Sequence, residues 1–197
     1  MNEFFWVIAG YLFGSVPAGF LAVRALLGRD IREMGSGNTG ATNVSRFLGK
    51  KWGVAVALFD MAKGGIVVLA ARMCGVQDPW ILAATGLAGV FGHNFPLWLR
   101  FRGGKGVATS YGVIFFWNPL PALVGGAVWY LVIRFSGYVS VGSMVSLATV
   151  PVVFLIMGQP AAYFCMSAAL ALLAVLRHRS NISNLLEGKE GRVGSEE

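Results

Sequence analysis

From Phe135 to Leu176 the chain carries no charged side chain, and none falls between Phe4 and Val23 either. The ~30 Å hydrocarbon core of a bilayer takes about 20 apolar residues in helical form, so runs of this kind constrain the fold more than any other feature. At 56% hydrophobic and 13% charged, the chain as a whole is too apolar for an ordinary soluble domain. Phe4 to Val23 is expected to cross as one helix. A cleaved signal peptide is not expected, because Glu3 stands where a basic region would and the apolar run is too long.

Further spans are expected over Gly53 to Ala71, interrupted by Asp60 and Lys63, and over Trp80 to Leu99, after an Asp78-Pro79 turn. Val107 to Ile133 reads as one long helix or as two broken at Asn118-Pro119-Leu120-Pro121. The uncharged run beyond Phe135 breaks at Gly158-Gln159-Pro160 into two more. Charge asymmetry decides the ambiguous stretch. With a split at Asn118 there are seven segments, the fourth short or re-entrant, and fourteen of the sixteen basic residues share one side. Cytoplasmic loops concentrate Lys and Arg, so that side is inside, the N-terminus is outside and the C-terminus inside. The expected fold is an all-α, polytopic membrane helix bundle. A single domain is expected over 1–186, followed by a polar, mobile tail over 187–197.

The formal charge of +7 invites a nucleic-acid partner, but the basic residues lie between spans rather than on one soluble face. Anionic lipid and small anionic substrates account for them better, and no nucleic acid is expected. Cys74 and Cys165 lack CxxC spacing and His or Cys neighbours, so both read as small apolar residues.

Two glycine-rich, cation-bearing stretches end membrane-length segments: Gly35-Ser36-Gly37-Asn38-Thr39-Gly40-Ala41-Thr42-Asn43, with Arg46 just beyond, and Gly103-Gly104-Lys105-Gly106-Val107-Ala108-Thr109. Glycine turns and first helical turns present backbone N–H groups to an anion, hydroxyls and amides add donors, and Arg46 can fork onto phosphate. A flexible interhelical loop is the plainer reading of the first stretch. Gly35-x-Gly37-x-x-Gly40 matches the dinucleotide fingerprint only formally, since a membrane span rather than a strand precedes it. The second stretch is not a Walker A loop, because Leu99 and Gly106 occupy positions that motif reserves for Gly and for Ser or Thr.

His93 lies in an apolar segment, where it serves helix packing or a site. His178, at the inner end of the last span, and Asn181 beyond it have the same two readings. Asp60 and Lys63 stand three apart on one helix, and a mutual pair is favoured over an ion pathway. Gly-x-Ser-x-Gly, His-x-x-x-x-Asp, Glu-x-x-His and His-Glu-x-x-His patterns are missing, as are acidic clusters. No covalent nucleophile, protein base, metal or cofactor is therefore expected, and any catalysis should work by positioning and charge stabilisation.

Gly14-Ser15-Val16-Pro17-Ala18-Gly19, the stretch from Gly35 to Arg46, Gly92-His93-Asn94-Phe95-Pro96, and Phe101 to Thr109 together resemble the acyl-phosphate:glycerol-3-phosphate acyltransferase family (PlsY) of bacterial membranes. The resemblance implies acyl transfer from acyl phosphate to the 1-hydroxyl of sn-glycerol 3-phosphate, giving lysophosphatidate and phosphate in phospholipid synthesis. It implies that Ser36, Arg46, Lys105, His178 and Asn181 bind glycerol 3-phosphate. Gly40, Thr42, Asn43, Gly103 and Gly104 would hold the acyl phosphate, with Asn38 and His93 supporting the site. The location implied is the bacterial cytoplasmic (inner) membrane, with the site facing the cytoplasm. Membrane lipid is a partner, and the enzyme that makes acyl phosphate could dock transiently. A small anion transporter is the competing class, since broken helices and midplane charges serve transporters too. A membrane scaffold for lipid enzymes is a further one.

Overall fold

The computed structural model describes residues 3–194. Every regular element among them is helical, and they form two compact units that meet in sequence at Trp117 and Asn118. The first unit holds α1 (Phe4–Gly14), α2 (Ala18–Leu27), α3 (Ala41–Leu48), α4 (Lys50–Met73), α5 (Pro79–Asn94) and α6 (Val107–Trp117), with short 3-10 turns at Ile31–Glu33 and Leu97–Leu99. The second holds α7 (Pro119–Ser136), α8 (Val139–Ile156), α9 (Ala161–Arg177) and α10 (Arg179–Leu186).

Helix ends follow local chemistry. Asp78 and Asn118 each accept a bond from the backbone N–H two residues on, Trp80 at 2.8 Å and Leu120 at 3.0 Å, and each is followed by a proline at the first helical position. The break expected at Asn118 is therefore real. Gly28 and Gly137 close α2 and α7 in the left-handed conformation, where a side chain would strain the turn.

The first apolar run is not one helix. It breaks over Ser15-Val16-Pro17, because Pro17 has no N–H to donate and its ring disfavours helix in the residue before it. Inside a bilayer the freed backbone groups need partners. Lys63 supplies one, its Nζ donating to the Val16 carbonyl at 2.7 Å. Ser15 Oγ donates to Leu12 O at 2.7 Å and accepts from Trp98 Nε1 at 2.8 Å. The Trp80–Leu99 segment also ends early: α5 stops at Asn94, and Pro96 turns the chain into a 3-10 turn.

Within the first unit α1 packs on α5 and α4 on α6, in both cases through glycines. A Cβ on Gly14 would collide with the Gly89 backbone, and one on Gly112 with the Met61 carbonyl. Small residues let backbones approach where lipid tails offer no hydrophobic drive to associate. Large apolar side chains such as Ile8, Leu58, Leu123, Leu155 and Leu172 face outward, while Ser140, Ser143, Ser146 and Ser167 are buried in the second unit. That distribution suits a hydrocarbon solvent. In the second unit α8 packs against both α7 and α9.

Among the described residues, four stretches are long and apolar enough to cross a membrane: Phe4–Leu27 (taken across its break), Lys50–Met73, Pro119–Ser136 and Val139–Ile156. The pair Ala161–Arg177 and Arg179–Leu186, bent by 56°, makes a fifth. At 16 and 11 residues, α5 and α6 reach only about 24 and 16 Å at 1.5 Å per residue.

A small core of Val23, Ile31, Met34, Val44 and Val56 lies under the first glycine-rich stretch and joins α2, α3 and α4 beneath it. Part of the expected tail is described: Val193 N donates to Gly137 O at 2.8 Å, and Arg192 Nε to Tyr138 Oη at 3.1 Å. Residues 195–197 of that expectation lie outside the described residues.

Candidate functional site

The first glycine-rich loop is held from inside by one side chain. Asn43, buried in the first turn of α3, donates through Nδ2 to Asn38 O at 2.9 Å and Met34 O at 3.0 Å, and its Oδ1 accepts from Ser36 N at 3.1 Å. Asn38 Oδ1 accepts from Gly40 N at 2.9 Å, closing a turn that delivers the chain into α3. Gly35 and Gly37 have φ of 53° and 68°, a region in which a side chain is strained, and the tight path depends on them. With Asn43 turned inward, Thr42 and Arg46 remain exposed four residues apart on the same face of α3. Ser36 is exposed at the head of the loop.

The second stretch leads into α6 and differs from expectation in one respect. The N–H groups of Gly103 and Gly104 do not face outward. They donate to Asn94 O at 3.2 Å and His93 O at 3.1 Å. The cause is the end of α5, whose last carbonyls lack intrahelical donors and take them from this loop. Both glycines are needed for closeness instead: a Cβ at Gly103 would strike His93 O, and one at Gly104 would strike His93 Nε2. Gly106 (φ 80°) turns the chain into α6, leaving Lys105 half-buried at the helix entrance beside first-turn N–H groups that have no intrahelical partner.

Arg32 joins the two loops. It forms a 2.6 Å ion pair with Asp30, lies over the Phe20 ring at 5.4 Å, and donates through Nη1 to Leu99 O at 3.1 Å. Its guanidinium holds the Asp30 carboxyl below the ordinary value. Nothing in the spacing of Arg32 set it apart from the other loop arginines.

His93 is buried with Nδ1 3.6 Å from Asp60 Oδ1, and Asp60 pairs with Lys63 at 2.8 Å. The Asp60–Lys63 pair is thus the one expected from spacing, with His93 added by packing. Sequence reasoning also missed Asn94 and Thr109, whose side-chain polar atoms lie buried without hydrogen-bond partners near the start of α6.

In the second unit, His178 sits between α9 and α10, buried, with Nδ1 2.7 Å from Ala174 O. A carbonyl only accepts, so Nδ1 carries a proton. Asn181, one turn along α10, donates through Nδ2 to Glu190 Oε1 at 2.7 Å, and Ser140 Oγ donates to the same oxygen at 2.6 Å. Glu190 was assigned only to the tail. Its partner Ser140 is fifty positions away, which no local pattern reveals.

A multi-pass helical membrane protein with two glycine-rich loops, each with a cation close by, is the class that this geometry defines. The sequence matches the family model described as glycerol-3-phosphate acyltransferase over residues 4–188. It is 48% identical over 190 residues to a glycerol-3-phosphate acyltransferase of Thermus thermophilus, covering 95% of this chain and 94% of that one. A relative of the same description from Aquifex aeolicus is 42% identical over 192 residues, covering 98% and 100%. The crystal structure of PlsY (YgiH), an integral membrane glycerol 3-phosphate acyltransferase, in its glycerol 3-phosphate form is 42% identical and superposes with a TM-score of 0.93 over 98% of this chain and 96% of that one. The lysophosphatidic acid form gives 40% and 0.90 over the same shares. The chain belongs to the glycerol-3-phosphate acyltransferase family, membrane enzymes of phospholipid synthesis.

Proposed function

We propose that the protein transfers a fatty acyl group from acyl phosphate to the 1-hydroxyl of sn-glycerol 3-phosphate, releasing phosphate and lysophosphatidate. The observation that carries this reading is the pair of loops tied together through Arg32, each followed closely by a cation: Lys105 ahead of α6, and Arg46 on the exposed face of α3, in its last turn. Two phosphate-bearing substrates need two such places. Neighbours solved in glycerol 3-phosphate and lysophosphatidic acid forms support the acceptor and the product.

Ser36, Arg46 and Lys105 bind the glycerol 3-phosphate, together with His178 and Asn181 of the second unit. Gly40 and Thr42 hold the acyl phosphate, Asn43 acts through the loop shape it fixes, and Gly103 and Gly104 act through the close seating of the second loop. Asn38 and His93 support the two loops. Acyl phosphate is a mixed anhydride with a good leaving group, so the acceptor oxygen attacks the acyl carbonyl directly. The C–O bond to phosphate breaks, and the departing phosphate takes the hydroxyl proton. The site's cations stabilise charge rather than form a covalent intermediate.

We place residues 1–186 in one functional domain, which the family match over 4–188 supports. We assign seven segments, the N-terminus outside and the site cytoplasmic in a bacterial inner membrane, on the charge asymmetry. The test is phosphate release by purified protein. It should occur from acyl phosphate only when glycerol 3-phosphate is present, with lysophosphatidate formed in equal amount. Release without the acceptor, or acceptor uptake into vesicles without acyl transfer, rejects the reading.

A further inference from the structure

The buried charges of α4 have no part in the chemistry above, yet they touch the break between α1 and α2 and the last turn of α5. Lys63 Nζ reaches Asp60 at 2.8 Å and the Val16 carbonyl at 2.7 Å, the latter inside the break between α1 and α2. The paired oxygen, Asp60 Oδ1, is buried. His93 Nδ1 stands 3.6 Å from it. On the far edge of the imidazole, Nε2 lies against Gly104 so closely that any side chain there would overlap it. Gly104 N in turn donates to the carbonyl of His93 itself. The half-buried Lys105 is the next residue.

We propose that Lys63, Asp60 and His93 form a positioning relay that seats the Gly103–Lys105 loop and sets where the Lys105 ammonium meets its anion. A carboxylate facing Nδ1 favours the ring orientation that presents Nε2 to Gly104. Lys63 holds the carboxylate and, through Val16, fixes the relay to the α1–α2 break. Gly64, the neighbour of Lys63, packs against Thr109 in the first turn of α6, so the same stretch of α4 sets the register of the helix that follows the loop. Charges this deeply buried are costly in a membrane protein, and a purely packing role is served equally well by a neutral pair. The inference rests on the proposed reading that Lys105 holds glycerol 3-phosphate.

The test uses purified full-length protein with three variants. Asp60→Asn combined with Lys63→Gln removes both charges and leaves neither unpaired. His93→Asn keeps a donor near the Nδ1 position and loses the edge against Gly104, and His93→Gln does the reverse. Two quantities are read at parent-like melting temperature: KM for glycerol 3-phosphate with kcat, and amide exchange at Gly103 and Gly104. A relay raises KM at least tenfold with kcat within threefold, and speeds exchange at the two glycines at least tenfold, in all three variants. Parent-like KM and exchange in the folded double variant, or in both His93 variants, overturn it. Should the double variant fail to fold, the His93 pair decides. Should the parent show no transfer from acyl phosphate, the functional reading fails and amide exchange alone decides the relay.

Discussion

Lys105 stands at the entrance of α6 and Arg46 on the exposed face of α3. On the proposed reading, truncating either to alanine removes a charge-assisted phosphate contact worth about 1.5–3 kcal/mol. Lys105→Ala and Arg46→Ala should each cut kcat/KM for glycerol 3-phosphate roughly tenfold to hundredfold at unchanged melting temperature. Near-parental turnover at low acceptor in a folded variant would remove that residue from the site. Asp30 gives a pH signature of a different kind. Its folded pKa lies below the ordinary 3.8 because Arg32 bonds to it. The pair therefore stabilises the loops fully well above 3.8, and the contribution fades as pH falls through that value to the depressed one. At a partly exposed site it amounts to about 1 kcal/mol or less. Melting curves from pH 6 downward should show an Asp30→Asn deficit that shrinks as the medium becomes acid. A deficit independent of pH would mean that the side chain acts by shape and not by charge.

Elements in this fold meet through backbone, so glycines at crossings differ sharply from glycines elsewhere. Gly14→Ala puts a methyl group into the Gly89 backbone, and forcing α1 from α5 should cost about 1–3 kcal/mol. Gly126, within α7, has nothing within 4 Å of its missing Cβ, so Gly126→Ala should leave the melting temperature unchanged or raise it slightly. Equal effects of the two substitutions in detergent melts would contradict the packing described. The tail is an element in the same sense. Glu190 receives bonds from Ser140 and Asn181, so Glu190→Ala should remove the bond that ties Asn181 to the tail and lower activity about tenfold, with Asn181→Ala adding little on top. Additive losses from the two would separate the residues.

At the scale of the whole molecule the testable claim is topology. Single cysteines placed as Asn38→Cys, Asn118→Cys and Asn184→Cys, in a Cys74→Ala, Cys165→Ala background, report sidedness to an impermeant thiol reagent on intact cells. Only the position at 118 should label. Labelling at 184 would put the α9–α10 end on the outer side and separate His178 and Asn181 from a cytoplasmic substrate. The chemistry agrees with the basic-residue asymmetry, because glycerol 3-phosphate is too charged to cross the bilayer unaided.

Local features were legible from residue order alone. The apolar runs announced membrane helices, Asn118 followed by two prolines within three residues announced a helix start, and the glycine-rich stretches announced loops with cations beside them. Such signals depend on interactions a few positions apart, which any helix or turn makes wherever it lies. Tertiary structure alone decided the rest. The break at Pro17 survives because Lys63, forty-seven positions on, satisfies Val16. The amides of Gly103 and Gly104 turn inward because the end of α5 lies there to receive them. Arg32 meets Leu99 across sixty-seven positions, and Asn181 is held by a glutamate that composition assigned to a tail. Those partners are set by how helices pack, and packing couples residues whose separation in sequence carries no periodic or capping signal.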